Sequence, residues 1–152
     1  MNITVLCVGN IKEKFYKDAC AEYIKRLTRF GKVNIFEVSE CHIGEGQDKE
    51  KEGKLLLKKI NPFSYKIALC VEGKKVSSEK LSELIENAGI DGKSEITFII
   101  GGSDGLSEEV KKAADLRLSF SDMTFPHQLM RVILLEQVYR AFKIIAGEKY
   151  HK

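Results

Sequence analysis

The segment FIIGGSDGLSEEV combines an apolar run, three closely spaced glycines and the start of a predicted helix. Gly101, Gly102 and Gly105 would let a ligand approach the backbone without a Cβ in the way. Ser107 can cap the helix, but the two glutamates that follow would compete with a phosphate for the positive end of the helix dipole. The spacing is not G-x-G-x-x-G, and no G-K-[ST] is present, which excludes a P-loop. The loop is therefore either a ligand-binding loop or a tight turn that requires glycine.

A second polar loop, SFSDMTFPHQ, lies between a predicted strand and a long apolar helix. Its Pro126 stands at the helix start, where the missing N–H of proline costs nothing, and this is a sufficient structural reason for the proline. The imidazole of His127 can exchange a proton near neutral pH. A histidine at a helix N-terminus is nevertheless more often a surface or packing residue than a catalyst, so both interpretations stay open.

The four cysteines form no CxxC pair and show no regular spacing, which argues against a disulfide framework in a chain of this size. Cys7 and Cys70 lie in apolar runs, and we expect both to be small core residues. Cys41 and His42 are the one pair that could suggest a metal site or a nucleophile. No second pair stands at the spacing of zinc ligands, so the sequence predicts no metal site.

The 152 residues are most simply one domain, residues 1–152, and are long enough to bury a core. A hydrophobic content of 43% and a charged content of 31% indicate a folded globular protein. No run approaches the roughly eighteen apolar residues of a membrane span, and the first residues lack the features of a signal peptide. We therefore expect a cytoplasmic protein without a membrane partner. The net charge of +3 is too small to indicate nucleic-acid binding by itself.

Apolar periodicity predicts strands that alternate with helices along the whole chain. The predicted strands cover residues 3–8, 32–39, 65–71, 95–100 and 116–120, and the predicted helices cover residues 12–30, 48–60, 77–89, 107–114 and 127–146. Near-continuous apolar strands separated by helices indicate an α/β fold with a parallel sheet covered on both faces. Ligands of such sheets bind beyond the carboxyl ends of the strands. The segments to inspect are therefore GNIK, EGKK, GGSDGL and SDMTFPH.

The last predicted helix is apolar around almost its whole circumference, with Glu136 and Arg140 as a possible i,i+4 ion pair. A helix that is apolar on all sides is buried on all sides. In a chain of this size the helix needs a second partner besides the sheet, and the simplest one is another copy of the protein. Tyr150 and His151 would then emerge from the dimer interface and could reach a neighbouring ligand site.

The segments IGGSDGL, LSFSDMTFPHQLMRVILLEQVYRAFKI and YHK closely resemble the SPOUT-class methyltransferases of the RlmH family, and the likeness extends over the full chain. The resemblance implies a parallel-sheet α/β fold with a C-terminal trefoil knot. It also implies methyl transfer from S-adenosyl-L-methionine to N3 of a pseudouridine in helix 69 of 23S rRNA. The implied assembly is a homodimer that acts on the ribosome and forms its substrate groove across both chains.

The resemblance also implies which residues hold the methyl donor, in three loops of the knot. These residues are Leu69, Gly101, Gly102, Phe120, Ser121, Asp122, Met123, Thr124 and Phe125. Ser103 and Asp104 replace the Pro-Glu that relatives often carry, which affects only the details of that loop.

Direct in-line transfer needs the donor carbon and N3 held about 3–3.5 Å apart, and it needs a group that deals with the N3 proton. Our candidates for the base or for orienting groups are His127, Tyr150 and His151. We favour the last two for substrate positioning and Arg140 for stabilising negative charge. The alternative is that Tyr150 and His151 only pack at the dimer edge.

Two other functions remain open at this point. One is a SPOUT-type methyltransferase that acts on a different RNA, such as tRNA. The other is a non-catalytic ribosome-binding factor, against which the retained glycines and C-terminal residues argue. A nicotinamide-dependent enzyme is disfavoured because the glycines lie at the fourth predicted strand instead of the first.

Overall fold

A computed structural model describes residues 1–42 and 48–151, in which strands and helices alternate as the sequence predicts. The strands are β1 (Asn2–Val8), β2 (Val33–Val38), β3 (Tyr65–Lys75), β4 (Glu95–Ile100) and β5 (Leu116–Ser119). The helices are α1 (Lys14–Leu27), α2 (Asp48–Lys59), α3 (Ser78–Ile90), α4 (Glu108–Ala113) and α5 (His127–Ile145).

All five strands join one parallel sheet in the order β2-β1-β4-β3-β5, which confirms the predicted α/β class. Strand β1, which lies between β2 and β4, aligns Val5 with Ile35 of β2 and with Phe98 of β4. Because all strands run the same way, their carboxyl ends lie at one edge of the sheet. The loops that the sequence analysis singled out therefore come together at this edge.

Helices cover both faces of the sheet, because alternate strand residues point to opposite sides. On one face, α1, α3 and α5 pack against Ile3, Val5 and Phe98. On the other face, α2 and α4 pack against Leu6 and Ile99. These strand side chains are no more than 1% exposed. Burial on both faces explains why the strands read as nearly continuous apolar runs.

Strand β3 is longer than predicted, because it continues beyond residue 71 to Lys75. It pairs with β5 twice, with a shift of register between Leu69 and Lys74. A Cβ on Gly73 would lie 2.7 Å from the carbonyl carbon of Leu118, so only glycine fits where the two backbones approach. The prediction ended the strand too early because the charged segment EGKK shows no apolar periodicity. It is extended because Lys74 and Lys75 pair with β5.

Serine side chains cap the N-terminal ends of α3 and α4. Ser77 accepts a hydrogen bond from the backbone N–H of Lys80 and caps α3. The predicted stop at Gly89 is wrong, because α3 continues to Ile90 and the chain turns at Gly92 with a φ of +89°. A glycine inside a helix, such as Gly89, lowers helix stability by only about 1 kcal/mol relative to alanine. The positive φ at Gly92 strongly favours glycine, so the turn forms there.

The cysteines are free thiols. Cys7 is buried in the sheet, as expected. Cys70 is only half-buried and lies on the wall of a cavity, so the expectation that it belongs to the core is wrong. It lies between Leu69 and Lys74, in the segment where β3 shifts its register with β5.

Candidate functional site

A cavity of about 370 Å³ opens at the carboxyl edge of the sheet. Its wall is formed mainly by β3 near the register shift, by the loop after β4 and by the loop after β5. The cavity has the size of a typical small-molecule site, and its wall combines apolar side chains with a few polar groups. The residues predicted to hold a ligand that line it are Leu69, Gly101, Gly102, Phe120, Ser121, Met123, Thr124 and Phe125.

The glycine loop after β4 is a tight turn as well as part of the cavity wall. Gly102 and Gly105 pair as an isolated bridge, and the N–H of Gly105 donates to the carbonyl oxygen of Gly102 at 3.0 Å. A Cβ on Gly101 would lie 2.6 Å from the backbone of Gly105. Ser107 then caps α4 by accepting from the N–H of Val110 at 3.3 Å. The two interpretations of this loop are therefore compatible, because the turn presents its backbone to the cavity.

The loop after β5 is held by its own serine hydroxyls. Ser119 donates to the carbonyl oxygen of Ser121 at 3.0 Å, and the Ser121 hydroxyl accepts from the N–H of Met123 at the same distance. Asp122 is the one predicted donor-binding residue that is not on the cavity wall. Its carboxylate instead forms an ion pair with Lys75 at the end of β3. Asp122 therefore faces solvent and ties this loop to the neighbouring strand.

An ion pair on the cavity wall was not predicted from the sequence. Glu72 of β3 accepts a hydrogen bond from Lys111 of α4, and both residues line the cavity. The hydrogen bond lowers the pKa of Glu72 and raises the pKa of Lys111. The lysine side chain is only 13% exposed. The segment EGKK follows a predicted strand, but no local pattern indicates that a helix three elements later supplies the partner.

The three C-terminal candidates form a separate cluster with two glutamates. Arg140 donates to Glu136 at 2.9 Å, which confirms the expected i,i+4 pair, and Tyr150 donates to the same carboxylate at 3.0 Å. His151 contacts the Arg140 guanidinium through Nδ1 at 3.2 Å and Glu79 of α3 through Nε2. Burial and the hydrogen bond to Glu136 raise the pKa of Tyr150. The structure thus brings Arg140, Tyr150 and His151 together.

His127 lies apart from this cluster and lines the cavity. It is the first residue of α5, and Arg140 follows thirteen residues later on the same helix. At 1.5 Å per residue their backbones are about 20 Å apart. Within one chain, His127 is therefore the only one of the four predicted catalytic residues among the described cavity-lining side chains.

Helix α5 is buried on one side only within a single chain. Its fully buried apolar residues are Leu134, Leu135, Val138, Ala141 and Phe142, whereas Met130, Val132, Ile133, Ile144 and Ile145 are half-buried. A groove of about 330 Å³ runs between α3 and α5, and Phe120 and Phe125 belong to both this groove and the cavity. The burial expected on all sides is therefore incomplete without a further partner.

The Cys41–His42 pair is not part of a metal cluster. Among residues 1–42 and 48–151, no three His, Cys, Asp or Glu side chains are arranged so that they could hold a metal ion. The backbone N–H of Cys41 donates to the buried carboxylate of Glu52 at 3.0 Å, and burial raises the pKa of that carboxyl group. In the same described part of the chain, no helix is long and apolar enough to cross a membrane.

This parallel sheet, with a glycine-rich cavity at its carboxyl edge, is that of a methyltransferase fold, and the chain belongs to the SPOUT methyltransferase family. The family described as "Predicted SPOUT methyltransferase" matches residues 1–151.

Curated relatives match the chain over its full length. "Ribosomal RNA large subunit methyltransferase H" of Clostridium botulinum (strain Kyoto / Type A2) is 54% identical over 159 aligned residues, with 100% of both chains covered. "Ribosomal RNA large subunit methyltransferase H 1" of Clostridium perfringens (strain SM101 / Type A) is 55% identical with the same coverage. The resemblance drawn from the sequence is thereby confirmed.

Solved structures with low sequence identity share the fold. A probable methylase family protein from Haemophilus influenzae Rd KW20 superposes with a TM-score of 0.55 at 13% identity, over 99% of this chain and 70% of that one. The tRNA (m1G37) methyltransferase of Aquifex aeolicus gives 0.55 at 14% identity, over 92% and 70%. At such identities the likeness concerns the fold alone.

Proposed function

We propose that this protein transfers a methyl group from S-adenosyl-L-methionine to N3 of a pseudouridine in helix 69 of 23S rRNA. The observation that carries the proposal is the full-length identity of 54–55% to relatives named ribosomal RNA large subunit methyltransferase H. The substrate in this proposal is the assembled ribosome, and the place of action is the cytoplasm.

The cavity at the sheet edge suits the methyl donor in size and chemistry. Its volume of about 370 Å³ and its mixed wall match those of small-molecule sites. Gly101 and Gly102 line the cavity, and neighbouring protein atoms fill the space that a Cβ on either residue would need. The tight turn therefore depends on glycine and sets its backbone at the cavity wall. In this proposal, Leu69, Gly101, Gly102 and the residues of the loop 120–125 that line the cavity hold the donor. When bound, the donor supplies an electrophilic methyl carbon on its sulfonium.

A homodimer would complete the site with the C-terminal cluster of the second copy. Helix α5 keeps a half-buried apolar side that a second copy could cover. Arg140 lies ten residues, about 15 Å, along α5 from Met130, which lines the cavity of its own chain. Of the C-terminal candidates, those that reach the methyl carbon would therefore have to come from the partner. In the proposed dimer, Tyr150 and His151 position the nucleoside and Arg140 stabilises negative charge on it.

The trefoil knot remains a prediction of the family resemblance. The double pairing of β3 with β5, on both sides of the register shift, supports it. The close approach of Gly73 to the backbone of Leu118 is a second support, because the chain after the shift lies tightly against β5.

The small net charge favours a ribosomal substrate over naked RNA. With a net charge of +3, the chain has little capacity to bind RNA through phosphates alone. Recognition of a folded RNA surface by shape needs less positive charge on the protein, because many contacts then go to sugar and base edges.

The test is methyl transfer from labelled S-adenosyl-L-methionine to ribosomes that lack the modification, beside naked 23S rRNA and bulk tRNA. We expect label on ribosomes at a single pseudouridine. Label on tRNA would keep the fold and overturn the substrate. Calorimetry that detects no binding of the donor would instead favour a non-catalytic ribosome-binding factor.

A further inference from the structure

We propose that Glu40 is a positioning residue for His127, and that the two form a carboxylate–imidazole dyad that receives the N3 proton during methyl transfer. This inference rests on the proposed function, because it names the group that removes the proton in that reaction. Nothing in the sequence pattern links the two residues, since Glu40 follows β2 and His127 begins α5.

The dyad lies at the edge of the donor cavity. His127 lines the cavity, and its Nε2 lies 3.5 Å from Oε1 of Glu40. The two side chains are 24% and 23% exposed, so the pair is partly shielded from water. The contact is an ion pair, and the proposal requires the tautomer whose Nε2–H is directed at the carboxylate. In the neutral ring the second nitrogen, Nδ1, then keeps its lone pair and is the one able to accept a proton.

The Glu40 carboxylate packs against the backbone at Gly9. A Cβ on Gly9 would lie only 2.9 Å from Oε1 of Glu40, so the carboxylate lies directly over this glycine. The carbonyl oxygen of Gly9 accepts from the buried guanidinium of Arg131 at 3.2 Å. Arg131 in turn pairs with Glu37 at 2.7 Å. Glu37 pairs with that buried cation, whereas the carboxylate of Glu40 contacts the imidazoles of His127 and His42.

The charges near His127 come from the N-terminus of α5 and from Glu40. The positive end of the α5 dipole opposes an imidazolium at the first residue of the helix. The Glu40 carboxylate, 3.5 Å away, supplies an opposite charge beside the imidazolium that would form during the reaction.

The proposed step balances as follows. The N3 lone pair forms the new N–C bond, the S–C bond breaks, and its electron pair remains on sulfur. The N3 proton passes to Nδ1 of His127, and the resulting imidazolium lies beside the Glu40 carboxylate. The proton then leaves to water, which restores the neutral ring.

His42 provides a matched control within the same cluster. Its Nε2 lies 3.2 Å from the other oxygen of Glu40, but its side chain is 76% exposed and does not line the cavity. Replacing His42 removes one histidine from the carboxylate and leaves the proposed dyad intact.

The experiment compares Glu40→Gln, Glu40→Asp, His127→Asn, the double variant Glu40→Gln/His127→Asn and His42→Gln in methyl transfer to unmodified ribosomes. A general base contributes about 10²–10⁴-fold, so we expect His127→Asn to lower kcat by about 10²-fold and Glu40→Gln by about tenfold or more. KM for ribosomes and the donor Kd should stay within about threefold. The double variant should be no slower than His127→Asn, Glu40→Asp should recover part of the rate, and His42→Gln should behave as wild type.

Imidazole ¹H–¹⁵N correlation spectra provide a readout that does not depend on activity. The His127 ring should carry its proton on Nε2 in the wild type and lose this preference in Glu40→Gln, but not in His42→Gln. A wild-type rate for Glu40→Gln or for His127→Asn overturns the dyad. If the wild-type enzyme leaves ribosomes unlabelled, the proposed function is overturned instead. In that case the dyad is still tested by the spectra, because a His127 ring spectrum that is the same in Glu40→Gln and in the wild type rejects the positioning role of Glu40.

Discussion

The carboxylate of Glu136 joins two of the residues that the sequence singled out at the C-terminus. It accepts from Arg140 and from Tyr150, and the Arg140 guanidinium lies 4.8 Å from the centre of the Tyr150 ring. His151 completes the cluster through Arg140 and Glu79. These contacts fix the side chains before any substrate arrives, which is what precise positioning of a nucleoside requires.

The first prediction concerns His151. Replacing it with alanine should lower methyl transfer to ribosomes by about tenfold or more, because a positioning contact to the substrate is lost. Lys149→Ala, at a neighbouring exposed position, is the control and should retain activity. Unchanged transfer by His151→Ala with an intact dimer would remove this residue from the mechanism.

The second prediction concerns Cys7, whose pKa burial raises from 9.0 to about 12. The folded protein favours the neutral thiol, so this contribution to stability is complete below pH 9 and is lost as the pH rises towards 12. Urea unfolding between pH 8 and pH 11 should therefore show a steeper loss of stability for the wild type than for Cys7→Ala. Equal slopes for the two proteins would contradict the prediction.

At the scale of elements, the turn after β4 depends on close backbone contact more than on glycine flexibility. Gly101 is packed against Gly105, and the turn ends at the Ser107 cap of α4. Because β4 lies between β1 and β3 in the sheet, the turn is held from both sides. A rigid loop of this kind presents its backbone to a ligand at little entropic cost.

The third prediction is that Gly101→Ala weakens binding of S-adenosyl-L-methionine by at least about tenfold, which corresponds to about 1.4 kcal/mol. The new Cβ would lie 2.6 Å from the Gly105 backbone, so the loop must move. Gly89→Ala is the matched control, because its Cβ meets only the flexible end of Met1 at 3.2 Å. Calorimetry checks both variants, and equal donor affinity for the two would refute the role of the loop.

At the scale of the whole molecule, the half-buried side of α5 and the groove beside α3 indicate where a second copy would dock. The groove contains Ile133 and adjoins the cavity through Phe120 and Phe125. An interface there would connect dimer formation to the shape of the donor site. The sequence of α5 is apolar on nearly all sides because one side packs in the core of its own chain and the other side would pack in the proposed interface.

The fourth prediction is that Ile133→Glu shifts the protein from dimer to monomer and lowers methyl transfer with it, because a buried charge at an interface is costly. Ile90→Glu is the control, since Ile90 is 76% exposed at the end of α3. Sedimentation velocity measures the oligomeric state. A dimer that persists in a folded Ile133→Glu variant would exclude this face as the interface.

The sequence alone determined the class of fold and most of its elements. Apolar periodicity and capping residues are local properties, so they located every strand and helix to within a few residues, with β3 as the main exception. The family resemblance indicated eight residues that line the cavity, because motifs such as GGSDGL and SFSDMTF are contiguous in the chain.

Tertiary structure alone decided which distant residues meet. The extension of β3 depends on pairing with β5, and Asp122 turns towards Lys75 and away from the cavity. The pairs Glu72–Lys111 and Glu40–His127 join elements far apart in sequence. Local sequence patterns carry no information about such contacts, because the free energy that forms them comes from packing the whole sheet and its helices. The same packing places the Arg140 cluster away from the cavity of its own chain.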